Sequence, residues 1–375
     1  METYDCIVLG VGAVGSAALS QLASRGARTL GLERFEPGHD RGSSHGHTRA
    51  IRLAYFEHPD YVPLLRRSFE LWRALDQRAS QPLYVETGVL EAGPVAGELI
   101  EGVLRSAADH DLEVQELDSA ALAKRFPGVR LPKDMRALFE PIGGYLHVED
   151  CIKAMAAEAV AAGAELRTGV TVESWQADGE QYIVQTDRGS FRAASLVLAQ
   201  GAWSSRDMGG ASLPLRVLRK VQLWYKARND HYTRANGFVP FAMETPSGQV
   251  FYGFPELDLR GVKVAEHTSG VELPDPLALD RELQRADQLP VEGFNHAFLP
   301  GLSDQCMHHA TCMYTESADG HFILDQHAEH ARVAYAAGLS GHGFKFAPVL
   351  GQALAELALD GGTALPIGFL SSARF

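Results

Sequence analysis

The sequence predicts an α/β fold: a discontinuous nucleotide-binding domain of Rossmann type, with an inserted α+β domain built on a mostly antiparallel sheet. Three observations lead there. A β-α-β unit with a glycine-rich turn opens the chain. A buried apolar run ending near glycine lies at residues 195–199 (SLVLA). A third such run, 332–337 (RVAYAA), leads into a glycine-rich turn and an apolar helix near the end. Less regular, strand-rich sequence lies between them, as when one domain interrupts another. At roughly 150 residues per domain, 375 residues leave room for two domains or one interleaved unit.

Residues 4–9 (YDCIVL) form a short apolar run, the pattern of a strand buried on both faces. Residues 10–15 read as a turn. Residues 13–25 have helical spacing with small residues on the near face, and Gly26 follows as a C-terminal cap would. Residues 28–33 (RTLGLE) supply the second strand. Over 60–75, Tyr61, Leu64, Leu65, Phe69, Trp72 and Leu75 recur at helical spacing, with Pro63 tolerable in the first turn. Residues 83–92 (LYVETGVLEA) alternate like a strand, and 150–163 read as an alanine-rich helix. Strands are expected at 164–175, 182–186 and 195–199, and antiparallel ones at 217–227 and 248–252. The strand 332–337 runs through GLSGHGFKF into a helix over 347–359.

Composition narrows the function. Lysine and arginine number 34 against 47 aspartates and glutamates, a formal charge of −13. Nucleic acid and anionic membranes both require clustered positive charge, so neither is expected as a partner. The uncharged run 6–24 is long enough to test as a membrane span. It contains Gly10, Gly12, Gly15, Ser16, Ser20 and Gln21 and switches from strand to helix pattern, so the span is rejected. Glu2 and Asp5 stand where a signal peptide carries positive charge. The four cysteines, Cys6, Cys151, Cys306 and Cys312, form no CxxC pair and are too few for a disulfide framework. A reducing, cytoplasmic setting is expected. His45 with His47, His308 with His309 and His327 with His330 lack a carboxylate or cysteine at a recognised ligand spacing, so no metal site is expected. No GxSxG elbow is present.

Gly10, Gly12 and Gly15 make GxGxxG, with Ala13 and Val14 opening the helix. The first glycine permits the tight turn, the second lets the backbone approach a pyrophosphate, and the third lets helix and strand pack closely. The helix start offers free N–H groups and a positive dipole end. Glu33 ends the second strand about 20 residues on, where an acid can bind ribose hydroxyls. Arg34 follows and is compatible with NAD or FAD. These residues imply a bound dinucleotide without choosing between the two.

Three other segments break the tie. GSSHGHTRAIRLAY holds Ser43, His45, His47, Arg49 and Arg52; ATCMYT holds Cys312 and Tyr314; GLSGHGFKFAPVLG holds Gly341, His342, Gly343 and Lys345. With them the sequence resembles the monomeric sarcosine oxidase and N-methyltryptophan oxidase family of flavoproteins, from residue 4 to the C-terminal SSARF. The pairing of CMYT with SGHGFKF is far more specific than GxGxxG. The resemblance implies FAD attached through Cys312, by a thioether to the flavin 8α-methyl carbon. That chemistry suits a thiolate attacking an electron-poor methylene carbon of a flavin tautomer. It implies Arg49 beside the flavin, and Arg52 with Lys345 clamping the substrate carboxylate by a bidentate grip and a point charge. Lys263, in GVKVAEH, matches a lysine over the flavin ring that activates oxygen, where a fixed cation lowers the barrier. Tyr252, His267, Tyr314 and His342 match pocket residues. Ser43 and His45 lie in the loop approaching the flavin. Val172, in TVESW, matches a residue whose backbone meets the adenine, and Gly201, Gly341 and Gly343 allow close backbone approach.

The resemblance thus implies a Rossmann-type FAD-binding domain of segments 1–83, 147–215 and 322–375, and a substrate domain of 84–146 and 216–321. It implies a monomer that oxidises a secondary amino acid with O₂, giving aldehyde, shortened amine and hydrogen peroxide. The family commonly reads HHGDTR where this chain has SHGHTR, placing His47 at the aspartate. Leu53 stands where those proteins have a histidine after the arginine, and PELDLRG over 255–261 is charged. These departures leave the substrate open. A cyclic imino acid oxidase, a flavin-dependent dehydrogenase of the same fold and a catalytically silent flavin-binding protein remain as alternatives.

Overall fold

Glu2–Leu9 pairs in parallel with Thr29–Leu32 on one side and Gly189–Leu198 on the other, in a computed structural model that describes residues 1–204 and 213–375. Residues 205–212, part of the expected segment 147–215, lie outside the described residues. The parallel layer extends through Glu165–Arg167 at one end and His330–Ala337 at the other. Val172–Asp178 and Gln181–Thr186 continue antiparallel from Gly189–Leu198, and Ile323–His327 from His330–Ala337, giving eight strands.

Strand alternation divides this sheet's burial between two faces. Cys6 and Val8 meet the helices Ala13–Ser24, Val148–Ala161 and Ala347–Asp360. Ile7 and Leu9 face Trp175, Tyr182 and Val184. The helices are alanine-rich because they approach closely: a side chain at Gly351 would lie 2.6 Å from Ala17.

A nine-stranded, mostly antiparallel sheet forms the second layer, and the long strands Leu215–Ala227 and Leu302–Ser317 pair along most of their length. One face is apolar, built on Leu90, Ala92, Phe241, Met243, Phe251, Val262, Val264, Leu223 and Tyr225, and is covered by the helix Arg285–Phe298. A small third sheet joins Thr48–Ile51, Gly144–His147 and Tyr84–Glu86.

Two expected strands are broken. The run 83–92 divides into Tyr84–Glu86 and Val89–Pro94, which belong to different sheets, and Gly88 turns the chain between them with φ +80°. The run 164–175 divides into Glu165–Arg167 and the start of Val172–Asp178, with Gly169 at φ +65° between. In both, alternation continues across a glycine turn, which a two-residue period does not record. The helices Glu98–His110, Ser119–Arg125 and Arg285–Phe298 and the strand Leu302–Ser317 were not anticipated as elements. Among the described residues no helix is long and apolar enough to cross a membrane.

Candidate active site

The glycine turn and the middle of the chain frame one cleft. Gly10 lies against the backbone of Ala199, and a Cβ at Gly15 would sit 1.8 Å from the Gly10 carbonyl oxygen. Only a bare backbone allows the helix Ala13–Ser24 to start that close to the strand. Gly12, at the helix N-cap, receives no side-chain cap, and a Cβ there would meet nothing within 4 Å. The first N–H groups of the helix therefore face open space, which suits a phosphate. Glu33 accepts from the N–H of Val11 at 2.7 Å and of Phe35 at 3.0 Å, which holds its carboxylate at the turn.

The cleft encloses about 1470 Å³, counting its mouth. It is lined from the glycine turn near Gly10 to Tyr314 and Gly341, residues far apart in the chain, so it is long enough to follow an extended ligand. Gly10, Gly12, Ala13, Val14, Glu33, Arg34, Ser43, Val172, Gly201, Gly341 and Gly343 line it, with Arg49 and Tyr314 at the same wall. Gly15 is packed behind the turn, and Cys312 and Lys345 are also outside the lining. Cys312 is fully buried next to Met313 and Tyr314, which do line it, and the Gln222 Nε2 donates to its Sγ at 3.2 Å. The cleft thus runs from the glycine turn to the CMYT segment, and its residues fit FAD. Trp203, under the Arg34 guanidinium at 5.7 Å, and His39 also line it. No sequence pattern marked either.

The reactive end rests on the second face of the nine-stranded sheet. Register places Glu91 opposite Leu138 and Ala242, Ala242 opposite Tyr252, Lys263 opposite Trp224 and Phe254, and Cys312 opposite Lys220. Residues opposite one another share a face, so this polar set lies on the side away from the apolar core. The local pattern is one polar residue between two core residues: Lys263 between Val262 and Val264, Tyr252 after Phe251, Glu91 between Leu90 and Ala92.

Lys263 is 1 % exposed. Its Nζ donates to the carbonyls of Gly46 at 2.8 Å and Thr48 at 2.9 Å, and lies over the rings of Phe254 and Trp224. Burial, with Arg49 adding, holds its pKa well below the ordinary lysine value. Lys263 therefore ties down the loop that carries His45, His47 and Arg49. Glu149 holds the same loop by accepting from the N–H groups of Gly46 at 2.7 Å and His47 at 3.1 Å. His47 adopts φ +74°, in the left-handed region where histidine, with Asn and Asp, is one of the better-tolerated non-glycine residues. Arg49 donates to the carbonyls of Thr48 and Ser43 at 2.9 and 3.0 Å. His45 is buried, its Nε2 has no hydrogen-bond partner, and burial with Arg49 pushes its pKa down to about 4.

Arg52 is enclosed by carboxylates of the chain itself. Its Nη2 donates to Glu57 at 3.0 and 3.1 Å, and its Nε lies 3.2 Å from Glu91. The guanidinium stacks over Tyr55 at 4.5 Å, and the buried Nη1 has no partner. Burial opposes ionisation of Glu57, but Arg52, His342 and Lys345 outweigh it and hold the carboxyl at about 2. Lys345 donates to the His342 carbonyl at 2.8 Å and reaches the Tyr55 hydroxyl at 3.4 Å. Burial, with Arg52 adding, lowers its pKa to about 7. The Tyr55 hydroxyl lies 2.5 Å from His342 Nδ1. Burial pushes His342 down to about 4 and His267 to about 3, so both rings are neutral at pH 7. His267 packs at 5.5 Å from the Tyr314 ring and 6.5 Å from the Tyr252 ring.

The structure thus brings Arg49, Tyr252, His267, Lys263, Cys312 and Tyr314 together, and sets Arg52, Lys345 and His342 in an adjoining polar knot. Glu57, Glu91, Tyr55, Gln222 and Lys220 belong to the same surroundings and were not singled out from sequence. Glu91 and Gln222 carried the available signal, a polar residue flanked by core positions in an alternating strand.

A family model described as FAD dependent oxidoreductase matches residues 5–357. The chain is 38% identical over 377 residues to monomeric sarcosine oxidase of Bacillus sp. (strain B-0618), covering 99% of this chain and 96% of that one. It is 35% identical over 377 residues to N-methyl-L-tryptophan oxidase of Salmonella enteritidis PT4 (strain P125109), covering 99% of each. Among solved structures, the open form of NikD, an amino acid oxidase essential for nikkomycin biosynthesis, matches with a TM-score of 0.86 at 28% identity, covering 99% of this chain and 98% of that one. L-proline dehydrogenase from P. horikoshii shares the fold, with a TM-score of 0.85 at 20% identity over 100% of this chain and 98% of that one.

Proposed function

The chain belongs to the FAD-dependent oxidoreductase family, and on that premise we propose that it oxidises secondary amino acids of the sarcosine or N-methyl amino acid type, with O₂ as acceptor. FAD, which the cleft residues Gly10, Gly12, Glu33, Gly341 and Gly343 would hold, would supply the redox chemistry as acceptor of the hydride equivalent from the carbon next to nitrogen. The imine product hydrolyses in water to an aldehyde and the shortened amine, and O₂ ends as hydrogen peroxide. The protein supplies orientation and electrostatics.

One observation carries this reading: the unpartnered, buried Nη1 of Arg52 beside Lys345. A buried donor of this kind is costly to leave unpaired, and a substrate carboxylate would satisfy it. Tyr252, Tyr314 and neutral His267 then form the wall for the amine and its substituents. The positive charge of Arg49 and the burial of the site both favour the neutral amine, the form with a free nitrogen lone pair. Lys263, over the loop that bears Arg49, is assigned to the oxygen step. Cys312 is assigned as the point of covalent attachment, supported by its burial at the cleft wall and its contact with Gln222.

The strand distribution supports the two-domain division. All eight strands of the first sheet fall within 1–83, 147–215 and 322–375, and the nine of the second within 84–146 and 216–321 but for Leu215. The four free cysteines fit a reducing cytoplasm, and the monomeric state is taken from the named relatives.

Anaerobic spectral titration against a panel of N-methyl and cyclic amino acids tests the proposal, with peroxide detection on admitting air. Bleaching by N-methyl amino acids followed by peroxide is expected. A flavin bleached only by cyclic imino acids would move the substrate class. Bleaching with slow oxygen uptake but rapid dye reduction would make the protein a dehydrogenase.

A further inference from the structure

Glu91 has no counterpart in the roles assigned above. It is 0 % exposed, lies on Val89–Pro94 between two core residues, and places Oε1 3.2 Å from Arg52 Nε. Neither of its oxygens has a hydrogen-bond partner of good geometry. With Nε against Glu91 and Nη2 held by Glu57, the Arg52 fork presents Nη1 alone. We propose that Glu91 is a positioning residue for the carboxylate site, holding the Arg52 guanidinium by its Nε edge and setting, through its own ionisation, how strongly that guanidinium binds substrate. The inference rests on the reading of Arg52 as the carboxylate-binding group.

The surroundings define the sign. Arg52 and Glu57 face Glu91 from the segment after Thr48–Ile51, with Tyr55 under the Arg52 guanidinium. Glu140 faces it from the adjacent strand, with its oxygens occupied by the N–H groups of Leu53 and Ala54, both at 2.7 Å. Lys345 acts on it from the C-terminal turn, where it also donates to the His342 carbonyl. Glu244, on the strand at the other side, is directed to the Leu99 N–H. Burial raises Glu91 to about 8; Arg52 opposes it, Glu140 and Glu57 add to it, and Lys345 opposes it. Near neutrality Glu91 therefore keeps its proton, and Glu57 is the carboxylate that pairs directly with Arg52. Above that range a second carboxylate competes with the substrate for the same guanidinium, so binding weakens as pH rises. Lys345, at about 7, loses charge over a neighbouring range and acts in the same direction, so the two must be separated by substitution.

The experiment measures the Kd of methoxyacetate, a carboxylate with no oxidisable amine, on the holoenzyme by calorimetry from pH 6.5 to 9.5. The wild-type Kd is expected to rise about tenfold across the range, the size of one lost charge interaction. In Glu91→Gln, whose amide oxygen can still face Nε, most of that rise disappears. In Lys345→Met affinity is lower throughout, but the rise remains. With an N-methyl amino acid as substrate, the pH effect removed by Glu91→Gln falls on KM and leaves kcat at saturation in place. A Glu91→Gln enzyme with the wild-type pH profile overturns the proposal, and so does a flat profile in Lys345→Met. If the wild type binds methoxyacetate at no pH, the carboxylate reading of Arg52 itself fails and takes this inference with it.

Discussion

Lys263 combines two duties that pull against each other. Its ammonium caps two carbonyls of the flavin-side loop, while full burial and Arg49 depress its pKa. A depressed lysine loses its proton at lower pH than usual, so the rate of flavin reoxidation by O₂ should fall as pH rises through that value. Lys263→Met should slow reoxidation about 10²- to 10³-fold, the cost of removing one preorganised charge-stabilising group. Stopped-flow mixing of reduced enzyme with oxygen measures this, and anaerobic reduction by substrate should change far less. Equal losses in both half-reactions would assign Lys263 to holding the loop alone. At Cys312 the test is retention of colour: acid precipitation should leave flavin in the wild-type pellet, and Cys312→Ser should release it. A yellow pellet from the variant would place the attachment elsewhere.

At the scale of elements, the glycine turn separates packing from binding. A methyl at Gly15 would overlap the Gly10 carbonyl, so Gly15→Ala should shift the helix Ala13–Ser24 and cost about 1–3 kcal/mol, the usual penalty for overpacking. Urea midpoint and flavin content should fall together. At Gly12 the added methyl enters open cleft, so Gly12→Ala should keep the urea midpoint of the flavin-free protein while weakening flavin binding. The reverse pattern would mean that the cleft at Gly12 is not the phosphate site. The antiparallel sheet makes a parallel division between its faces. Val262 and Val264 enter the core and Lys263 the site, so a one-residue slip in that strand would exchange them.

For the whole molecule, buried and half-buried histidines set the acid stability. His45, His47 and His342 have pKa values lowered to about 4, and His267 to about 3, in each case chiefly by burial. The unfolded chain takes up protons on these rings below about pH 6.5, while the fold does not. His39, His147, His308 and His321 are lowered as well, so Glu91 and Glu140, which burial raises and which oppose the trend, are outnumbered. Stability should therefore be nearly complete at pH 7 and fall from pH 6.5 toward 4. The limiting slope is about 1.4 kcal/mol per pH unit for each uncompensated proton. Urea midpoints at pH 7.0, 5.5 and 4.5 measure it; a midpoint constant over that range would show that these rings protonate in the native state.

Chain order alone made the β-α-β unit legible, because its turn, helix and second strand are contiguous and each has a local signature. The same holds for the C-terminal strand and helix. Local pattern failed at Gly88 and Gly169, where alternation runs on through a turn, and over Leu302–Ser317, whose partner lies far away in sequence. The residue types that bind a dinucleotide, and the motif residues Cys312, Arg49, Arg52, Lys263 and Lys345, could be named from the sequence. Their neighbours could not: Arg52 meets Glu91 across two separate strand systems, and Gln222 meets Cys312 only through strand register. Covalent order and side-chain chemistry thus determined the fold class and named the candidate site residues. Tertiary structure alone decided which charges are buried beside which, because burial and Coulomb terms depend on distances that the linear chain does not contain.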